Sequence, residues 1–201
     1  GSVPLDAWMR PETDGTAYAV TYVRSEQRQT VAVRVGASGA VKVFVNLGAP
    51  TIDADVYRKL HLDQEANLAT LLPGWNRILV KISSHNSRWA FVLRFTTPDG
   101  KPLVGVTHTA APPAENWKIP VAVPAIGQKP ATLLSALRGR LKNAKPNTPQ
   151  AAERAAQLTD LGLYLHHAEP GNPEQHEAET VLAEAVVLAP SHQGYRILAE
   201  A

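Results

Sequence analysis

The chain has no cysteine among its 201 residues. Disulfides, thiolate nucleophiles and zinc–thiolate sites are therefore excluded within it. No apolar run approaches the roughly 18 residues that a membrane-spanning helix needs. There is no large excess of one charge, because 20 Lys and Arg face 18 Asp and Glu. No serine sits in a Gly-x-Ser-x-Gly nucleophile turn, and no glycine-rich phosphate loop precedes a helix. Aromatic residues make up only 6 % of the chain.

The charges that are present fall unevenly. Between Lys129 and Lys145 there are five cations and no acid, whereas from Gln150 onward two arginines face eight acids. A basic stretch before an acidic one is one mark of a nucleic-acid partner. Here no aromatic residue lies within the basic stretch to stack on a base. The expectation is a solvated helical connection and no nucleic-acid partner.

The amino-terminal half alternates with the period of β-strands. Ala17 to Arg24 places Tyr18, Val20 and Tyr22 on one face, and a later run aligns Val31, Val33 and Val35. Gly36-Ala37-Ser38-Gly39 reads as a tight hairpin turn into a third run. There Val41, Val43 and Val45 share one side while Lys42 and Phe44 take the other. Residues 49–66 read as a long loop with short strands, and Leu68 to Leu72 as another strand. Trp75 to Ser83 aligns Ile78, Val80 and Ile82, and the next run directs Trp89, Phe91, Leu93 and Phe95 inward. Pro98-Asp99-Gly100 closes that run with a turn signal. Six or more short strands separated by turns predict an antiparallel, jelly-roll-like β-sandwich over residues 3–110.

Five prolines then punctuate residues 111–130, excluding a regular helix or a central strand. This segment is expected to be a linker that packs on the sandwich through Trp117 and Ile119. Helical spacing starts at Leu133, Leu134, Leu137 and Leu141, and residues 131–201 are predicted to be helical. Ala155, Leu158, Leu161 and Leu165 form one stripe, Glu169 to Pro173 stops and restarts the helix, and Ser191 is placed to cap a further helix bearing Tyr195 and Leu198.

The helical pair at 150–190 resembles a tetratricopeptide repeat. Ala178, Leu182, Ala185 and Pro190 follow the spacing of that family's second helix, and Leu161-Gly162 stands where its Leu-Gly pair falls. The turn between the helices is about four residues longer than the family pattern. The β half resembles galactose-binding-like and PA14-like sandwiches found beside bacterial glycosidases and in surface proteins. The likeness rests on Val33-Arg34-Val35-Gly36, on Val41 to Asn46, and on Gly74-Trp75-Asn76-Arg77-Ile78-Leu79-Val80-Lys81. Ala37-Ser38-Gly39 replaces the acidic pair of those relatives, which argues against calcium at that turn. Similar sandwiches followed by helical repeats occur in large bacterial proteins with a transglutaminase-like domain. By this resemblance any catalytic part lies outside these residues.

The implied function is a non-catalytic recognition module that takes a glycan or cell-envelope polymer through loops at one end of the sandwich. The candidate contacts are Asn46, Tyr57, His85, Asn86 and Arg88. The alternatives are a repeat scaffold holding a protein or peptide partner on its helical face, and an accessory domain of an enzyme. Trp89 is in phase with the core and is not expected to touch ligand; Trp75 is expected to cover one end of the sandwich. No cofactor is expected. Neither is a metal, since His166 and His167 diverge on a helix and His61, His85 and His108 lack a local acidic partner. Asp53 and Asp55, two apart in a loop, are spaced to share a cation or to do acid–base work, though loop acids are usually just solvated. An extracytoplasmic location is favoured.

Overall fold

The computed structural model describes residues 1–9, 14–85, 89–113, 116–141, 148–168 and 173–190. The chain divides into two compact units, Gly1–Pro130 and Ala131–Ala201.

In the first unit β1 is Val3–Pro4, followed by a 3-10 turn at Leu5–Ala7. Then come β2 Asp14–Ser25, β3 Gln29–Ala37, β4 Ala40–Val45, β5 Ile52–Ala54, β6 Glu65–Leu71, β7 Gly74–His85, β8 Ala90–Thr96 and β9 Val106–Thr109. They form a four-stranded sheet ordered β1-β8-β3-β6 and a five-stranded sheet ordered β5-β4-β7-β2-β9, with every strand pair antiparallel. Val31, Val33 and Val35 from one sheet share a single core with Val41, Val43, Val45, Ile78, Val80 and Ile82 from the other. Two sheets closing on one apolar layer make the unit β-sandwich-like.

One expectation changes at the strands, and one left open is resolved. Gly36 to Gly39 is not a hairpin turn, because β3 and β4 never pair and lie in different sheets. The segment is a corner where the chain crosses between sheets, and its glycines serve close approach. A Cβ on Gly36 would stand 1.7 Å from the His61 carbonyl oxygen, and one on Gly39 would stand 1.9 Å from that of Ser83. On β2, the face that carries Tyr18, Val20 and Tyr22 is the outer one. Ala17, Ala19 and Val23 pack inward, with Ala17 and Ala19 opposite Ile82 and Val80.

The proline-rich segment is strapped to the sandwich. Leu47 N–H donates to Pro120 O at 3.0 Å, Ala122 N–H donates to Leu47 O at 2.7 Å, and Trp117 meets Tyr22 edge-on with centroids 5.5 Å apart. Prolines leave few amide hydrogens to donate, so few backbone bonds join the segment to the sandwich, and the ring contact and a Thr70 hydroxyl bond to Pro124 O add to them.

In the second unit α1 spans Leu133–Arg140, α2 Pro149–Ala168 and α3 Pro173–Leu188. Helix α1 starts on a capping box in which Thr132 and Ser135 exchange side-chain and backbone hydrogen bonds. Helices α2 and α3 run antiparallel: Ala151, Ala155 and Leu158 pack with Ala185 and Leu188, while Leu161 and Leu165 pack with Ala178. Leu182 is fully buried over Gly162, where a Cβ would lie 2.5 Å from Leu182 Cγ. The further helix expected after Ser191, with Tyr195 and Leu198, lies outside the described residues.

Gly162→Ala tests that close approach. Alanine would favour the helix by up to about 1 kcal/mol, but overpacking a core typically costs about 1–3 kcal/mol. The clash falls on the branch point of Leu182 and not on a flexible tip, so the steric cost should win. A net destabilisation of about 1 kcal/mol is expected in the denaturant midpoint of the 222-nm helix signal. An unchanged or higher midpoint would mean that the helices separate at no cost.

Candidate functional site

The best-furnished concavity lies on the outer face of the five-stranded sheet. It is a cleft of about 240 Å³, lined by outward residues of β4 and β7 together with β5 and the segment after it. Register explains its furniture. Inward alternation of Val41 and Val43 turns Ala40 and Lys42 outward, and inward alternation of Val80 and Ile82 turns Lys81 and Ser83 outward. Asp53 stands opposite Lys42, Lys42 opposite Lys81, and Lys81 opposite Tyr18, so four outward side chains form one row across the strands.

Lys42 Nζ donates to Asp53 Oδ2 at 2.7 Å, and the Thr16 and Ser83 hydroxyls meet at 2.9 Å. Tyr57, half exposed, forms one wall. Its ring lies edge-on to His85, with centroids 6.0 Å apart, and His85 Nδ1 is 2.7 Å from Asp14 Oδ1. Hydroxyl, ammonium, carboxylate and aromatic groups therefore converge on one opening from segments far apart in sequence.

The segment that carries Tyr57 is held down at its far end. Asp63 pairs with Arg94 and lies 3.7 Å from the buried Arg34 guanidinium. The hydrogen bond to Asp63 raises the pKa of Arg94. Gln64 accepts from Ala37 N–H at 3.0 Å and donates to Lys59 O at 2.8 Å. The segment covers the outer side of β3 at Arg34 and Gly36, which accounts for their burial beside the inward Val33 and Val35.

Of the expected contacts, the structure brings Tyr57 and His85 together. Asn86 and Arg88 lie outside the described residues. Asn46 is a correction: only 1 % exposed, it uses its amide inside the protein. Its Nδ2 donates to Asn76 Oδ1 at 2.8 Å and its Oδ1 accepts from Arg77 N–H at 3.0 Å. It also holds φ at +67°, a conformation that Asn tolerates better than most residues. Asn46 ends β4 and is not on the surface. Trp89 is buried as expected, and Trp75 is half-buried.

Lys42, Lys81 and Ser83 were not singled out in the sequence. The available signal was their phase on strands whose other face is apolar; the missing information was which strands are neighbours. Asp53 is paired with Lys42, while Asp55 lines the cleft with no ion pair among the described residues. His85 has its acid after all, from a distant strand. His166 and His167 lie edge-on with centroids 5.2 Å apart, closer than divergence along a helix implies. No cluster of three or more His, Asp or Glu suited to a metal occurs among the described residues. No helix among them is long and apolar enough to cross a membrane.

A second cleft of about 290 Å³ runs between the strap at Val121–Ala125 and the edges of β4 and β6. It has no charged lining residue, and Thr70 Oγ1 is already bonded to Pro124 O at 3.3 Å. It lacks the convergent polar groups that orient a ligand.

No protein-family model, curated protein or solved structure matches the chain, so function has to be read from the site.

Proposed function

We propose that the β unit is a non-catalytic glycan-recognition module that binds on the outer face of its five-stranded sheet. The carrying observation is the convergence of the half-exposed Tyr57, held edge-on by His85, with Lys42, Asp53 and Ser83 around one cleft. A sugar ring presents apolar C–H faces and hydroxyl edges, so it is bound by an aromatic plane beside donors and acceptors of both kinds. Tyr57 would supply the plane. The paired Lys42 and Asp53 would donate to and accept from hydroxyls with little reorganisation, because the ion pair already holds both side chains. Strand orders 1-8-3-6 and 5-4-7-2 also support the jelly-roll reading, with β9 added at an edge.

The expected result is binding of the full chain to members of a glycan array, with affinity falling about tenfold, or ~1.4 kcal/mol, in Tyr57→Ala. Tyr57 is half exposed, so this change should leave the fold intact. A folded chain that binds no glycan would refute the reading.

A second reading has its own support. Ala178, Leu182 and Ala185 are all buried at tetratricopeptide spacing, and Leu182 sits against Gly162. On this reading the helical unit is one repeat of a scaffold for a protein or peptide partner, and the β unit caps or spaces it. Capture of a defined peptide by the helical face, unaffected by Tyr57→Ala, would favour it.

A further inference from the structure

We infer that the glycan taken by the outer-face cleft is acidic, with a carboxylate seated on Lys81. This rests on the glycan reading above and narrows it to a class of sugar.

Lys42 and Lys81 stand directly opposite on β4 and β7, at the centre of the sheet. Like charges in that relation destabilise a sheet. Asp53 offsets one of them, bonding Lys42 at 2.7 Å. Nothing offsets the other: Lys81 has no ion pair among the described residues. It is half-buried on a central strand, where an unmatched ammonium is hydrated less fully than one at a loop tip. Asp55 also lines the cleft but is exposed on the segment after β5, where water solvates it. Of the two unmatched charges, Lys81 therefore gains more from a ligand of opposite sign.

Its neighbours point to a sugar rather than an acidic peptide. Tyr18 stands opposite Lys81 on β2 and is 64 % exposed, while Tyr57 borders the same cleft. An anion on Lys81 is thus flanked by aromatic rings suited to pyranose faces. Asp55, facing the same opening, can accept a hydroxyl hydrogen from a sugar. The ligand fitting both sets of groups is a polysaccharide with spaced uronate carboxylates.

The test uses the full chain and matched pairs of polymers: polygalacturonate, polyglucuronate and alginate, each beside its carboxyl-reduced form. At low ionic strength at least one acidic member should bind tenfold or more tightly than its reduced partner, with the difference shrinking as salt screens the contact. Lys81→Gln should erase the difference between the members of a pair, and Lys81→Arg should restore much of it. Tyr57→Ala should weaken both members of a pair. If both members bind equally, or Lys81→Gln keeps the preference, the acidic inference fails while the glycan reading stands. If neither member of any pair binds, the acidic inference fails, and the glycan array alone decides the glycan reading. If polyglutamate displaces the acidic polymer at equal concentration, the ligand is an acidic polypeptide and the inference is overturned.

Discussion

Gly39→Ala is expected to prevent the β unit from folding stably. The new Cβ would sit 1.9 Å from the Ser83 carbonyl oxygen and 3.0 Å from its carbon. Both are backbone atoms of a central strand, so no side-chain rotation relieves the contact. Either β4 leaves β7, losing the Ala40–Ser83 register, or the corner between the sheets shifts as a whole. Overpacking against yielding side chains costs about 1–3 kcal/mol, and a rigid backbone should put this change at or above the upper end. That is a large part of the 5–15 kcal/mol that typically holds a domain together. All four tryptophans lie in the β unit, and Trp89 is buried there, so tryptophan fluorescence reports this unit. Its denaturation midpoint should collapse while the helical signal persists. A near-wild-type midpoint would show that the sheet crossing does not need the close approach.

Asn76→Ala is expected to be nearly as damaging, for a polar reason. Asn76 is fully buried. Its Nδ2 donates to Leu72 O at 2.8 Å and Gly74 O at 3.2 Å, and its Oδ1 accepts from Leu72 N–H at 2.9 Å and Asn46 Nδ2 at 2.8 Å. One side chain thus satisfies the Pro73-Gly74 turn and the end of β4 together. Alanine would leave the Asn46 amide without this partner in the interior and both Leu72 backbone groups without it in a part-buried turn. Each buried unsatisfied group costs about 1–3 kcal/mol. The costs share one network and do not simply add, so a loss of about 3 kcal/mol or more is expected in the same fluorescence-monitored unfolding. Asn46→Ala removes fewer bonds and should cost less. The reverse order would place the weight of the network at Asn46.

Much of the fold is legible in the alternation itself. Val41, Val43 and Val45, or Ile78, Val80 and Ile82, can share a face only on an extended strand, and the leucine stripe of α2 only on a helix. Short strands at the margins escaped: β1 has two residues, and β9 four with no apolar alternation to mark them. The corner at Gly36–Gly39 looked like a hairpin because glycine-rich turns between alternating runs serve both purposes. Only pairing distinguishes them. The candidate site was legible in part: Tyr57 and His85 were readable as free of the core, yet nothing local says that they meet.

Asn46 shows the opposite limit. A turn-forming residue at a strand end looks exposed, but Asn46 is buried where Asn76 of β7 meets it. Tyr18 and Val20 show it again, since alternation assigns them a common face without saying whether that face is inside.

From residue order alone come the strands, the helices, the turns between them, and the division into a β part and an α part. These depend on backbone geometry and side-chain period, which act over a few neighbouring residues. Tertiary structure alone decides which sheet each strand joins, which face of β2 meets solvent, and that Lys42 and Lys81 stand side by side with Asp53 paired to Lys42. Hydrogen-bond pairing between distant strands sets those neighbours, and any strand of suitable length offers the same row of donors and acceptors.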